Sequence, residues 1–134
     1  MSNQALSNQF IFNEEIDKDY IYSLYADDFV YIEEMFTTTS QYLDPDIESI
    51  QLAYAAENTA DLKRAVHKIK PAFGFAGLLT IQTACKNFED LCQEHTSTEA
   101  LSKEYKNLIT ILNEGKNIIE TERKRLKEFN ANQL

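Results

Sequence analysis

One histidine in this sequence is surrounded by positive charge. In the stretch AVHKIKPAFGFAGL, residues 65–78, His67 is followed by Lys68 and Lys70, preceded by Lys63 and Arg64, and accompanied by Pro71, Gly74, Phe75 and Gly77. Residues 61–75 carry a local charge of +3 in a chain of net charge −9, which leaves −12 for the remainder. An imidazole is the side chain able to be a neutral nucleophile near pH 7. Lysines and an arginine around it would attract an anion and hold it by charge-assisted hydrogen bonds. The pattern therefore suits reaction of a ring nitrogen with an anionic group. The ordinary alternatives are a surface histidine without a role and a solvated run of charge; the neighbours weigh against both.

Presenting that ring requires a helix of known phase. Leu62, Val66, Ile69 and Phe73 predict a helix from about Ala60 to Phe75. At about 100° per residue the four apolar residues fall within roughly 60° of one another, and His67 points roughly 130° away from them. Lys63, Lys70 and Gly74 share the outer side with His67, and Arg64 and Pro71 lie just beyond. Pro71 lacks the N–H that would bond the carbonyl of His67, at a cost of about 3 kcal/mol, and Gly74 costs about 1 kcal/mol relative to alanine. Two readings stand side by side. The pair bends the helix beside the histidine and leaves room at Gly74 for another surface, or it merely ends the helix before a turn at Gly77.

The rest of the chain reads as scaffold for this helix. Residues 1–12 are polar at their start and show no apolar period, which predicts a flexible tail ahead of a domain spanning 13–130. Asn13 is a plausible cap for a short helix carrying Ile16, Tyr20 and Leu24 and ending near Ala26. Phe29, Ile32, Phe36, Leu43, Ile47, Ile50 and Tyr54 keep one phase across Asp44-Pro45, which favours a single long helix kinked at the proline over a new helix capped by Asp44. A further helix after Gly77 carries Leu78, Ile81, Cys85, Phe88 and Cys92. The last begins near Thr98 with Leu101, Tyr105, Leu108, Leu112, Ile119, Leu126 and Phe129, and its charge-dense end, Glu120 to Glu128, is expected to project into water. Four long amphipathic helices with short connections predict an all-α, antiparallel up-down-up-down four-helix bundle plus a short N-terminal helix.

Composition removes several function classes. The net charge of −9 opposes nucleic acid or an anionic membrane as partner. No basic and apolar leader opens the chain and no stretch approaches the roughly 20 apolar residues that span a bilayer, so a soluble cytoplasmic protein is expected. Cys85 and Cys92 are seven residues apart in one helix. That separates them by roughly 10 Å, too far for a disulfide, so they read as reduced core thiols.

With these residues laid out, the chain resembles the histidine-containing phosphotransfer (HPt) domain. The shared framework is His67-Lys68-Ile69-Lys70, then Gly74, Gly77 and Leu78, then Cys85 and FEDL at 88–91, followed without a gap within about residues 16–115. The resemblance implies that His67 accepts and returns a phosphoryl group, that Lys70 pairs with that group, and that Glu89 holds the ring by its Nδ1–H. It also implies a partner surface of Lys63, Arg64, Lys68, Pro71, Gly74 and Phe75. The partners implied are receiver domains of response regulators or hybrid histidine kinases, which bring the Mg²⁺; no cofactor or metal is expected in this chain. The reading is of a monomeric phosphorelay carrier, not an enzyme, since no Gly-rich phosphate loop or kinase-like motif is present. The family usually has glycine where this chain has Pro71, which alters the backbone beside the histidine.

Rival readings remain on chemical grounds. A metal-carrying bundle needs several histidines with acidic residues three positions earlier, and neither His67 nor His95 has one. A non-catalytic adaptor would bind another protein through Tyr22, Tyr25, Tyr31 and Phe75. Cys85 and Cys92 lack an evident base for nucleophilic work. His95, in a polar loop, has no assigned role.

Overall fold

The structure, a computed structural model, describes residues 9–133. It contains α1 (Lys18–Tyr25), α2 (Phe29–Ala55), α3 (Thr59–Phe75), α4 (Leu79–Glu94) and α5 (Ser102–Ala131), with one 3₁₀ turn at Glu99–Leu101. Helices α2 to α5 form the up-down-up-down bundle, each packed against its chain neighbour, with α5 closing back on α2. Among the described residues no helix is long and apolar enough to cross a membrane.

Side chains start three of the helices as their residue types dictate. Asp17, Asp28 and Asn58 each accept a hydrogen bond from the backbone N–H three residues on, in α1, α2 and α3 respectively. Helix α2 runs unbroken through Pro45 and α3 through Pro71. The phase argument for one helix across Pro45 is therefore met, and Pro71 with Gly74 does not end α3. Leu62, Val66, Ile69 and Phe73 are all fully buried, each contributing about 2 kcal/mol by leaving water, and this fixes the rotation of α3. Gly77 ends the helix in the left-handed conformation, φ 72°, while Leu78 N–H closes on the Phe73 carbonyl at 2.8 Å.

Helix lengths explain the N-terminal segment. Helices α2 and α5 have 27 and 30 residues, whereas α3 and α4 have 17 and 16. At about 1.5 Å per residue the long pair outruns the short pair by roughly 15–20 Å. The exposed step is covered by residues 9–25. Phe10 and Phe12 are buried, Phe10 meets Phe129 edge-on at 5.6 Å, and Ile16 and Ile21 pack against Gly77.

Three expectations are corrected here. A flexible tail through residue 12 is wrong for residues 10 and 12, which are core; residues 1–8 lie outside the described part. The short helix starts after Asp17, not Asn13, and buries Ile21 while Leu24 is exposed, because its inner edge is set by the α3–α4 turn. The far end of the last helix does not project freely into water. Leu126 and Glu122 are buried because the N-terminal segment and the start of α2 lie over them. In the first and third cases the cover includes Phe10, Phe12 and Asn13, from a stretch without helical period.

Candidate functional site

Helix α3 turns His67 outward and α4 reaches it from one side. The His67 side chain is 69% exposed, while Glu89 on α4, at 7%, is nearly buried. Glu89 Oε1 lies 2.8 Å from His67 Nδ1, and its Oε2 lies 2.7 Å from Nζ of Lys70. Lys70 is itself only 19% exposed. A carboxylate can only accept, so Nδ1 carries the hydrogen, and in the neutral form of the ring the lone pair lies on Nε2. Burial pushes the Glu89 carboxyl up, but the hydrogen bonds and charges of Lys70 and His67 outweigh it and hold the group below the usual glutamate value. Glu89 is thus a fixed anion with one cation and one ring N–H on its two oxygens.

The remaining cations are tethered around this centre. Lys63 donates to Gln93 Oε1 on α4, Arg64 pairs with Asp61 within its own turn, and Lys68 lies 3.5 Å from Asp46 on α2. Exposed pairs of this kind contribute little stability, but they keep positive charge on the rim of an open groove. The groove runs from His67 toward the start of α3 and is also lined by Gln93 and His95. Pro71 and Phe75 are exposed on the opposite side of the ring.

Gly74 departs from its expected place. It is buried, because the side chain of Gln82 from α4 lies against it; an added Cβ would stand 2.5 Å from Gln82 Nε2. The room left by the glycine is taken up inside the molecule.

The aromatic set considered for an adaptor divides. Tyr22 packs edge-on to Phe12 and Phe29, at 6.0 and 6.3 Å, as part of the N-terminal cover. The Tyr25 hydroxyl donates to the Phe75 carbonyl at 2.9 Å, whereas Tyr31 and Phe75 are exposed. Both cysteines are free and buried. Burial, then the charge of Glu89, pushes Cys85 up to about 12 and Cys92 to about 11, so each stays a thiol.

Sequence reasoning passed over Gln82, Gln93 and Asp46, and gave His95 no role. Gln82 and Gln93 had one signal: they lie seven before and four after Glu89, hence on its face of α4. Asp46, next to Pro45, and His95, in a loop, had none.

Comparison with known proteins agrees with this construction. The structure superposes on the HPt domain of an Hpt sensor hybrid histidine kinase from Shewanella with a TM-score of 0.71, at 21% sequence identity, over 83% of this chain and 95% of that one. A search of curated proteins gives no match. The family model for the Hpt domain matches residues 34–115, a span that holds α3, α4 and every member of the site above, and the chain belongs to the Hpt domain family.

Proposed function

We propose that His67 is the phosphoryl acceptor of this chain, taking the group from a receiver-domain aspartyl phosphate and passing it to another receiver. Family membership supports a phosphotransfer domain of two-component systems, a carrier module that works with receiver domains. The observation that carries the residue-level reading is the fixed tautomer: Nδ1–H held by Glu89 at 2.8 Å, with the ring open to solvent.

In the forward step Nε2 attacks phosphorus in line. The N–P bond forms as the bond from phosphorus to the aspartate oxygen breaks, and the aspartate leaves as carboxylate. The Nδ1 proton stays on the ring, which becomes cationic beside the Glu89 anion. Charge stabilisation and positioning are the main demands of such a transfer. Lys70, held near the ring by Glu89, faces the incoming phosphoryl oxygens, and Lys63, Arg64 and Lys68 draw an acidic receiver pocket toward the groove. Pro71 and Phe75 border the docking face. Mg²⁺ belongs to the receiver, where it neutralises the same phosphoryl group.

The test is direct. Purified protein is mixed with an Mg²⁺-loaded, phosphorylated receiver domain, and acid-labile, base-stable label is measured. Wild type is expected to be labelled and His67→Gln to carry none; undiminished label on the variant rejects His67 as acceptor.

A further inference from the structure

We propose that Gln82 recognises the docking receiver, and that residue 74 is glycine so that Gln82 can lie where it does. The proposal rests on the phosphotransfer reading above and adds a specificity residue to it. Gly74 stands two helical turns from His67 on the same side of α3, about 20° away in rotation and roughly 10 Å along the axis. An added Cβ there would lie 2.5 Å from Nε2, 3.2 Å from Cδ and 3.5 Å from Oε1 of Gln82, so the whole carboxamide rests against the glycine. The spacing from Gln82 to Glu89 on α4 equals that from His67 to Gly74 on α3, so the antiparallel seam repeats its contacts. Gln93 meets Lys63, Glu89 meets His67 and Lys70, and Gln82 meets Gly74.

Two of these contacts are closed pairs and the third is open. Among the described residues no hydrogen bond reaches the Gln82 side chain, and its polar atoms are not sealed from solvent. A carboxamide offers two N–H donors and an accepting oxygen, which matches an N–H and a C=O of exposed main chain. The exposed neighbours of Gly74 on α3, Pro71 and Phe75, carry apolar side chains, and the exposed Lys86, one turn on from Gln82, is paired with Asp90. The occupant is a main-chain segment of the receiver bordering its phosphorylated aspartate, since that aspartate must come to His67. Glycine is a poor helix former, and alanine would fit the helix but push the amide aside. The obstructing atom is the free end of a flexible side chain, so the fold itself tolerates the change.

Gln82→Ala, Gly74→Ala and the double variant are compared with wild type in the full chain. Each is labelled with phosphoramidate, a small donor that needs no docking surface, and with the phosphorylated receiver domain that transfers fastest to wild type in a panel. The ratio of receiver-dependent to phosphoramidate-dependent rate is expected to fall about fivefold in each single variant, the worth of one hydrogen bond. The double variant should fall no further, and Gly74→Ala should melt at or above wild type. An unchanged ratio in Gln82→Ala overturns the proposal, as do losses that multiply in the double variant. Wild type that takes label from neither donor is a separate result: it removes the phosphotransfer reading and this proposal with it.

Discussion

Two glutamates are buried among the described residues, and each faces a cation from its own side of the bundle. Glu89, in the α3–α4 seam, holds Lys70 and the Nδ1–H of His67. Glu122, under the N-terminal segment, holds Arg125 and accepts the Asn13 backbone N–H at 2.9 Å. Their exposures are alike, 7% and 2%. What differs is the second partner. Beside Glu122 it is a main-chain group with nothing further to do, and Arg125 goes on to bond the Ile11 carbonyl at 2.9 Å and to lie over the Phe10 ring. Beside Glu89 it is a ring whose other nitrogen faces water. A buried carboxylate and cation close a structure at one place and orient an exposed imidazole at the other, and exposure of the third group decides which.

If that contrast is right, damage in the two regions should separate into stability and rate. Phe10→Ala empties part of the N-terminal cover and is expected to cost about 3 kcal/mol of stability by urea denaturation, with label transfer to His67 within twofold of wild type. A matching fall in transfer among still-folded molecules would join the two regions. Glu89→Ala should do the reverse. Freed of its orienting anion, the ring loses the fixed tautomer, and transfer is expected to slow about 100-fold, while Glu89→Gln, whose amide oxygen still accepts from Nδ1–H, should recover much of the rate. Equal rates for the alanine and glutamine variants would show that orientation is not what Glu89 supplies.

Smaller effects sharpen the same comparison. Lys70→Ala is expected to slow transfer about tenfold through the loss of one charge-assisted contact, with the circular-dichroism spectrum unchanged; a spectral loss equal to the rate loss would move Lys70 to the structural side. The smallest effect is on pH. Because the Glu89 carboxyl is held below its usual value of 4.5, its pairing stabilises the fold above that value, and the contribution is lost as pH falls through the lowered one. Wild type should therefore lose more stability than Glu89→Gln on acidification from pH 5 to pH 3. Parallel curves would remove the ion pair from the stability account.

The Lys70 position shows how far local pattern reached. Its place on the outer side of α3 with His67 follows from the phase of Leu62, Val66, Ile69 and Phe73, because a rigid 3.6-residue repeat carries direction along one helix. That Lys70 touches Glu89 depends on α4 docking at one particular height and rotation, which is a packing outcome. The identity of Glu89 as partner came only through resemblance. Gln82 lying over Gly74 had no counterpart in the sequence reading, since a half-buried polar side chain leaves no trace in an apolar period.

The sequence by itself determined the four long helices and which way His67 looks, because both are set by neighbours within one or two turns. It did not determine that Phe10 and Phe12 are core, that Glu122 is buried, or that the room at Gly74 is occupied from within. Those depend on two helices being longer than their partners and on side chains meeting across the seam, contacts between residues far apart in the chain that exist only once the bundle has closed.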